Sequence, residues 1–259
     1  MKKLYVIGIG PGGKGGMTLD ALNAVAACET LVGYPVYLDL LGDLADGKKR
    51  LSTPMRQEVE RCRIALREAA SGRATGVVCS GDAGVYGMAG LIYELCEADA
   101  GAFGEVEILV VPGVTAALSG AAVLGAPLMN DFAVVSLSDL LTPWEMIEAR
   151  LDGAARGGFA ICLYNPSSRK RAGHLKRAAQ ILLRHLPPGT LCGYVRNIGR
   201  DGESSGVLTL EALQDYEADM FTTVFVGCAD TVNIRGKLVT KRGYTAPPEG
   251  KGAEGEAHG

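Results

Sequence analysis

The sequence predicts an α/β protein of two domains. Short apolar runs alternate with amphipathic stretches along most of the 259 residues, the pattern of strands and helices taking turns. Three strands of the first half run straight into turns of glycine and small residues. A break at Gly125-Ala126-Pro127-Leu128 separates two such halves, so domains are expected at 1–127 and 128–244.

In chain order, strands are expected at 3–7, 30–33, 74–79 and 106–111, with helices near 18–28, 55–71, 85–97 and 114–124. The helix after Met55 places Val59, Cys62, Leu66 and Ala69 on one face and turns Glu58, Arg61 and Glu68 to water, ending at Ser71-Gly72. Beyond the break, strands are expected at 132–137, 159–164, 190–195 and 222–227 and helices at 143–155, 170–185 and 209–216. Thr142-Pro143-Trp144-Glu145 reads as a capping box with proline at the first helical position, worth ~1 kcal/mol. The final 245–259, rich in Gly, Pro and Glu, lacks apolar residues and is expected to be disordered.

Composition narrows the classes. With 47% hydrophobic and 21% charged residues the chain can bury a substantial core. A net charge of −3 argues against nucleic acid as partner. Seven cysteines, without C-x-x-C spacing, sit singly in apolar runs such as Val77-Val78-Cys79, as small hydrophobes do in a reducing compartment. Met1-Lys2-Lys3 leads into a strand broken by Gly8 rather than a signal run, and Val114 to Met129 is too short to span a bilayer. The expected location is the cytoplasm, without membrane contact. His174 and His185, about three helical turns apart, have no accompanying metal-spaced cluster and are expected to be structural, so no metal site is assigned.

The glycine turns carry the ligand argument. In Ser80 to Met88, Gly81, Gly84 and Gly87 let the backbone approach a bound molecule, and Asp82 puts one carboxylate at a strand's carboxyl end, where open α/β sheets bind ligands. Gly8, Gly10 and Gly13 match G-x-G-x-x-G, so dinucleotide binding has to be weighed. Two features oppose it. Pro11 supplies no N–H to a pyrophosphate, and Leu31-Val32 runs into Gly33-Tyr34 instead of the acid that would hold a ribose. What remains is a pocket of backbone groups and small side chains with little provision for phosphate, suited to S-adenosylmethionine.

Gly8 to Gly12, Gly81 to Gly87 and Pro112 to Ala116, in that order, resemble the three turns of the tetrapyrrole methylase family. In the second half, Ser136 to Glu145, Leu163 to Arg169, Val195-Arg196-Asn197 with Gly199-Arg200, and Thr240 to Tyr244 are similar to the branch that methylates a precorrin at C17 and contracts its ring; Lys241 stands where that branch has proline. The resemblance spans about Met1 to Tyr244. It implies two α/β domains with the active site in the cleft between them, S-adenosylmethionine as methyl donor, a tetrapyrrole substrate and a homodimer. Alternatives are methylation at another position of the macrocycle and a corrinoid carrier that does not turn over.

The resemblance and the pocket together place the cofactor on Pro11, Gly81, Asp82, Ala83, Tyr86, Thr115, Ala116, Tyr164, Asn165, Gly193, Tyr194 and Val195. Asp82 is the first candidate at the reaction centre, able to orient the donor or balance a sulfonium charge; Asp139 and Tyr164 follow as acid–base candidates for ring contraction. Substrate contacts fall to Ser138, Trp144, Arg169, Arg196 and Arg200, because a macrocycle bearing many carboxylates needs arginines at the mouth of an otherwise acidic enzyme. Ser138 and Asp139 serve equally well as turn residues, and Trp144 as core. The lack of a placed nucleophile is compatible with methyl transfer, which needs alignment and exclusion of water more than proton transfer.

Overall fold

The computed structural model describes residues 2–168 and 172–244; Arg169 and the tail 245–259 lie outside the described residues. The first half runs β1 (Lys3–Gly8), α1 (Leu19–Ala27), β2 (Thr30–Gly33), α2 (Pro35–Asp39), β3 (Lys49–Ser52), α3 (Glu58–Ala70), β4 (Thr75–Cys79), α4 (Ala89–Ala98), α5 (Ala100–Phe103) and β5 (Glu107–Val111). Then follow α6 (Ala116–Leu124), β6 (Gly125–Ala126), β7 (Phe132–Ser136), α7 (Trp144–Arg156), β8 (Ala160–Tyr164), α8 (His174–Leu182), β9 (Leu191–Arg196), β10 (Ser204–Thr209), α9 (Leu210–Leu213), β11 (Thr222–Val226), β12 (Thr231–Ile234) and β13 (Lys237–Thr240).

The first sheet has the order β3-β2-β4-β1-β5 with every pairing parallel. Its central strands are continuous apolar runs because helices cover both faces. On one face Cys62 and Leu66 of α3 and Ile92 of α4 pack on Leu4, Val6 and Val77. On the other, Ala21 and Val25 of α1 and Leu38 of α2 pack on Ile7, Leu31 and Val78. Parallel strands all end at one edge, so the turns after β1, β2, β3, β4 and β5 gather there.

The second sheet, β10-β9-β11-β8-β7, is mixed: β7 and β8 are parallel, and β11 runs antiparallel between β8 and β9. Helices α7 and α8 bury Ile147, Leu151, Leu175 and Leu182 on one face. On the opposite face α6 buries Ala117, Ala121 and Leu124 against Cys162, Val195 and Phe225. Its small residues are a packing requirement, since a Cβ on Gly120 would stand 2.9 Å from the Phe225 ring. This helix precedes residue 127 in sequence but packs on the second sheet.

Every expected strand is present within a residue of its bounds. Helix boundaries shift more, and three local expectations are corrected. Arg61 is not turned to water but is 3% exposed beneath α3, while Val59, expected inside, is 47% exposed; the buried face is Arg61, Cys62, Ala65, Leu66 and Ala69. The capping box does not form, because α7 starts at Trp144 with Pro143 in the cap position and no side-chain cap bond. The helix expected at 85–97 begins only at Ala89, since Tyr86 holds φ +53 and extends the glycine turn.

Candidate active site

The three glycine turns leave β1, β4 and β5 side by side and pack backbone on backbone. A Cβ on Gly8 would meet Gly113 N and Gly81 O at 2.7 Å each, and one on Gly113 would meet Gly81 O at 2.2 Å. Gly10 and Gly81 exchange backbone hydrogen bonds of 3.0 and 2.8 Å, both at positive φ that only glycine adopts at little cost. Asp82 fastens the assembly: Oδ1 accepts from Gly84 N (2.7 Å) and Val85 N (3.1 Å), Oδ2 from Gly113 N (3.0 Å). The carboxylate is thus the clasp between two turns.

The facing wall comes from the second half. At the end of β8, the Tyr164 hydroxyl accepts from Ala117 N (2.6 Å) and lies 2.5 Å from Thr115 Oγ1, to which its proton is free to go. Burial pushes this phenol up to about 12. Its ring lies 5.4 Å from that of Tyr86, whose hydroxyl donates to Val134 O and accepts from Ser136 N, each at 3.1 Å. Asn165 donates to Ser136 Oγ (2.9 Å). Tyr86, Asn165 and Asn197 all hold positive φ, and such non-glycine backbone clusters where a site over-determines it.

Arg200, in the loop after β9, ties the walls together. Its Nε donates to Pro11 O (2.9 Å) and Nη2 to Ser80 Oγ (2.7 Å), with the guanidinium over the Tyr37 ring at 5.8 Å. Desolvation lowers its pKa from the ordinary arginine value. Beside it a Cβ on Gly12 would lie 1.8 Å from Gly199 O, so the two halves touch through bare backbone.

Between these walls lies a cleft of about 840 Å³, counting the part open to solvent. Pro11, Gly81, Asp82, Tyr86, Thr115, Ala116, Tyr164, Asn165 and Arg200 line it, as do Tyr37, Ser80, Asn197, Ile198 and Met220 to Thr223. The sequence reading missed most of the second group. Asn197 could have been found, as the first polar residue after a buried strand; Met220 and Phe221 carry no such signal.

Other expected site residues stand elsewhere. Ala83 is fully buried beneath its turn. Gly193, Tyr194 and Val195 are interior to β9: Gly193 abuts Leu124, Tyr194 stacks on Tyr216 at 4.3 Å, and Val195 is core. Arg196 is bound to Asp219 at 2.6 Å on the surface rather than offered to a ligand. Trp144 is 7% exposed in the core of the second half, between His174 (4.7 Å) and Arg177 (4.5 Å), so its ring is not a platform for a macrocycle. Ser138 and Asp139 sit on the loop beyond β7, where Ser138 N donates to Ser136 Oγ (3.3 Å) and His174 Nε2 lies 3.6 Å from Asp139. His185 pairs with Asp152. Among the described residues there is no cluster of three metal-ligating side chains.

The sequence profile of the tetrapyrrole (corrin/porphyrin) methylases matches residues 3–214. The chain belongs to the tetrapyrrole methylase family. It is 43% identical over 242 residues to a probable cobalt-factor III C(17)-methyltransferase of Salmonella typhimurium, covering 93% of this chain and 99% of that one. A precorrin-3B C(17)-methyltransferase of Sinorhizobium is 41% identical over 228 residues, 88% of this chain and 89% of the relative. The crystal structure of the methyltransferase CobJ superposes with a TM-score of 0.85 at 37% identity, covering 92% and 99% of the two chains. The fold of this tetrapyrrole methylase is therefore two α/β halves around one cleft, and among its described residues no helix is long and apolar enough to cross a membrane.

Proposed function

We propose that this tetrapyrrole methylase transfers a methyl group from S-adenosylmethionine to C17 of precorrin-3B or its cobalt counterpart, with contraction of the ring, as a step of cobalamin synthesis. The observation that carries the reading is the interlocked set of glycine turns facing Tyr164, in a chain of which 93% aligns with nearly the whole of a probable cobalt-factor III C(17)-methyltransferase. Relatives named for the cobalt and for the metal-free substrate are about equally similar, so both belong to the proposal.

The residues present fit the cofactor. The cleft offers backbone groups and hydroxyl-bearing side chains, Tyr86, Thr115 and Tyr164 among them, and the helix after the first glycine turn brings no phosphate cradle, because α1 starts at Leu19 behind a Thr18 cap. S-adenosylmethionine supplies an electrophilic methyl on a sulfonium. This chain contributes position and dryness. Asp82 holds the floor of the cleft in shape and places its negative charge at the rim of the donor's pocket, where it favours a cation over the neutral product. Tyr164, kept protonated by burial, fixes the start of α6 and gives one side of the pocket a neutral hydroxyl. Arg200 holds Pro11 and Ser80 in place and thereby sets the distance between the walls.

Asp139, on the loop beyond β7, is proposed to serve the proton transfers of ring contraction, and Ser138 and Arg169 to meet the substrate. The domain limits 1–127 and 128–244 are proposed on the break at Gly125 to Leu128, and a homodimer on the resemblance. Incubation with S-adenosylmethionine and either precorrin-3B or cobalt-factor III, followed by mass spectrometry, tests the reaction; a mass gain of one methyl is expected, and an unchanged substrate would refute it.

A further inference from the structure

We infer that the loop Thr53–Gln57 is a substrate-carboxylate subsite in which Arg56 is the cation and Arg61 the residue that positions it. The inference rests on the proposed tetrapyrrole substrate and adds a contact to it. The loop leaves β3 at the carboxyl edge of the parallel sheet, the same edge from which the cleft-lining turns leave β1, β4 and β5. Beneath it lies Arg61, 3% exposed and without a carboxylate within 4 Å among the described residues. One terminal nitrogen donates to Thr53 O (3.2 Å) and Pro54 O (3.0 Å); the other faces Met88 Sδ at 3.8 Å, at the cap of α4 that closes the Ser80–Met88 turn.

A guanidinium buried without a counter-ion is costly, and an aliphatic side chain would fill the space more cheaply. What the guanidinium adds is a grip on two successive carbonyls that no sheet or helix satisfies. Thr53 Oγ1 reaches Gln57 O at 3.4 Å and Arg61 N reaches the same carbonyl at 2.9 Å, so the loop is held at both ends. Between those ends it presents Met55, 42% exposed, and Arg56, exposed with φ +70. No ion pair engages the Arg56 side chain among the described residues, whereas Arg196 is bound to Asp219 and Arg200 to Pro11 and Ser80. An apolar side chain next to an unpaired cation, on a pinned loop at the ligand-binding edge, matches the rim of a flat macrocycle bearing acetate and propionate groups.

The test compares wild type with Arg56→Ala, Arg56→Lys and Arg61→Met in two assays: methyl transfer to the precorrin, and fluorescence titration with uroporphyrin, a stable macrocycle carrying eight carboxylates. Arg56→Ala is expected to raise substrate KM and the uroporphyrin Kd about 10-fold, the scale of one charge-assisted contact, with S-adenosylhomocysteine affinity and kcat little changed. Arg56→Lys should recover part of the loss. Arg61→Met should show the same pattern, and adding Arg56→Ala to it should cost little more; should Arg61→Met fail to fold, the Arg56 pair carries the test alone. Equal KM and uroporphyrin Kd for wild type and Arg56→Ala would overturn the subsite while leaving the reaction intact. Loss of S-adenosylhomocysteine binding in Arg56→Ala would overturn it too, by making the loop part of the cofactor wall. A wild-type chain that neither methylates the precorrin nor binds uroporphyrin would overturn the proposed function and the subsite with it.

Discussion

Replacing Arg200 by methionine keeps most of the side chain's volume and removes its two hydrogen bonds across the cleft. The bonds run to Pro11 O at 2.9 Å and Ser80 Oγ at 2.7 Å, from a cation that burial has already partly desolvated. A hydrogen bond to a charged group contributes about 1.5–3 kcal/mol, and the loss here is moderated because water can reach the open side of the cleft. A net loss of about 2–3 kcal/mol follows, which for a chain of this size lowers Tm by roughly 4–10 °C. Because Pro11 and Ser80 belong to two turns proposed to hold the donor, S-adenosylhomocysteine affinity should fall about 10-fold or more in calorimetry. Ser80→Ala, which removes one bond only, should give the smaller part of both effects. If Arg200→Met left Tm and cofactor affinity unchanged and raised only substrate KM, the residue would be a free carboxylate contact, and the latch described here would be wrong.

Four further outcomes follow from the same geometry. Asp82→Asn turns an acceptor into an amide that faces backbone N–H groups, so stability and cofactor affinity should fall together, by about 1–3 kcal/mol in urea titration; a turnover loss with both unaltered would restore a purely electrostatic role. Gly113→Ala would place a methyl 2.2 Å from Gly81 O and should cost about 2 kcal/mol or more, with loss of cofactor binding measured by calorimetry. Trp144→Phe should lower Tm and leave substrate KM alone, because the ring is in the core. In alkaline solution, burial raises Cys79 to about 11, Cys28, Cys62 and Cys192 to about 12, and Tyr164 to about 12. The unfolded chain therefore releases these protons first, so melting temperature should be flat below about pH 8 and fall steadily above pH 9, and of the seven thiols only Cys96 should react quickly with a disulfide reagent in the native state.

The central strands were legible because strands covered on both faces are unbroken apolar runs, as Thr75–Cys79 and Thr222–Val226 are. Two edge strands were not. Lys49–Ser52 and Ser204–Thr209 are exposed along one side and read as polar loops, as does the hairpin β12–β13. In the site, glycine turns gave the floor of the cleft, since close backbone packing leaves an unmistakable residue type. The opposite wall is made in part by Ile198, Met220 and Phe221, residues that would suit a core equally well, and only the fold brings them to the opening. Arginines misled most: sequence shows a charge and its neighbours in the chain but not Asp219, which takes up Arg196 from 23 residues away.

The most direct measurement of the central claim is carbon-13 NMR of the product formed from precorrin-3B or cobalt-factor III labelled at C20, with methyl-labelled S-adenosylmethionine. The account predicts one new methyl signal on C17 and the displacement of the C20 carbon from the macrocycle path. A product methylated at C2 or C11, or methylated at C17 with C20 still in the ring, would contradict it.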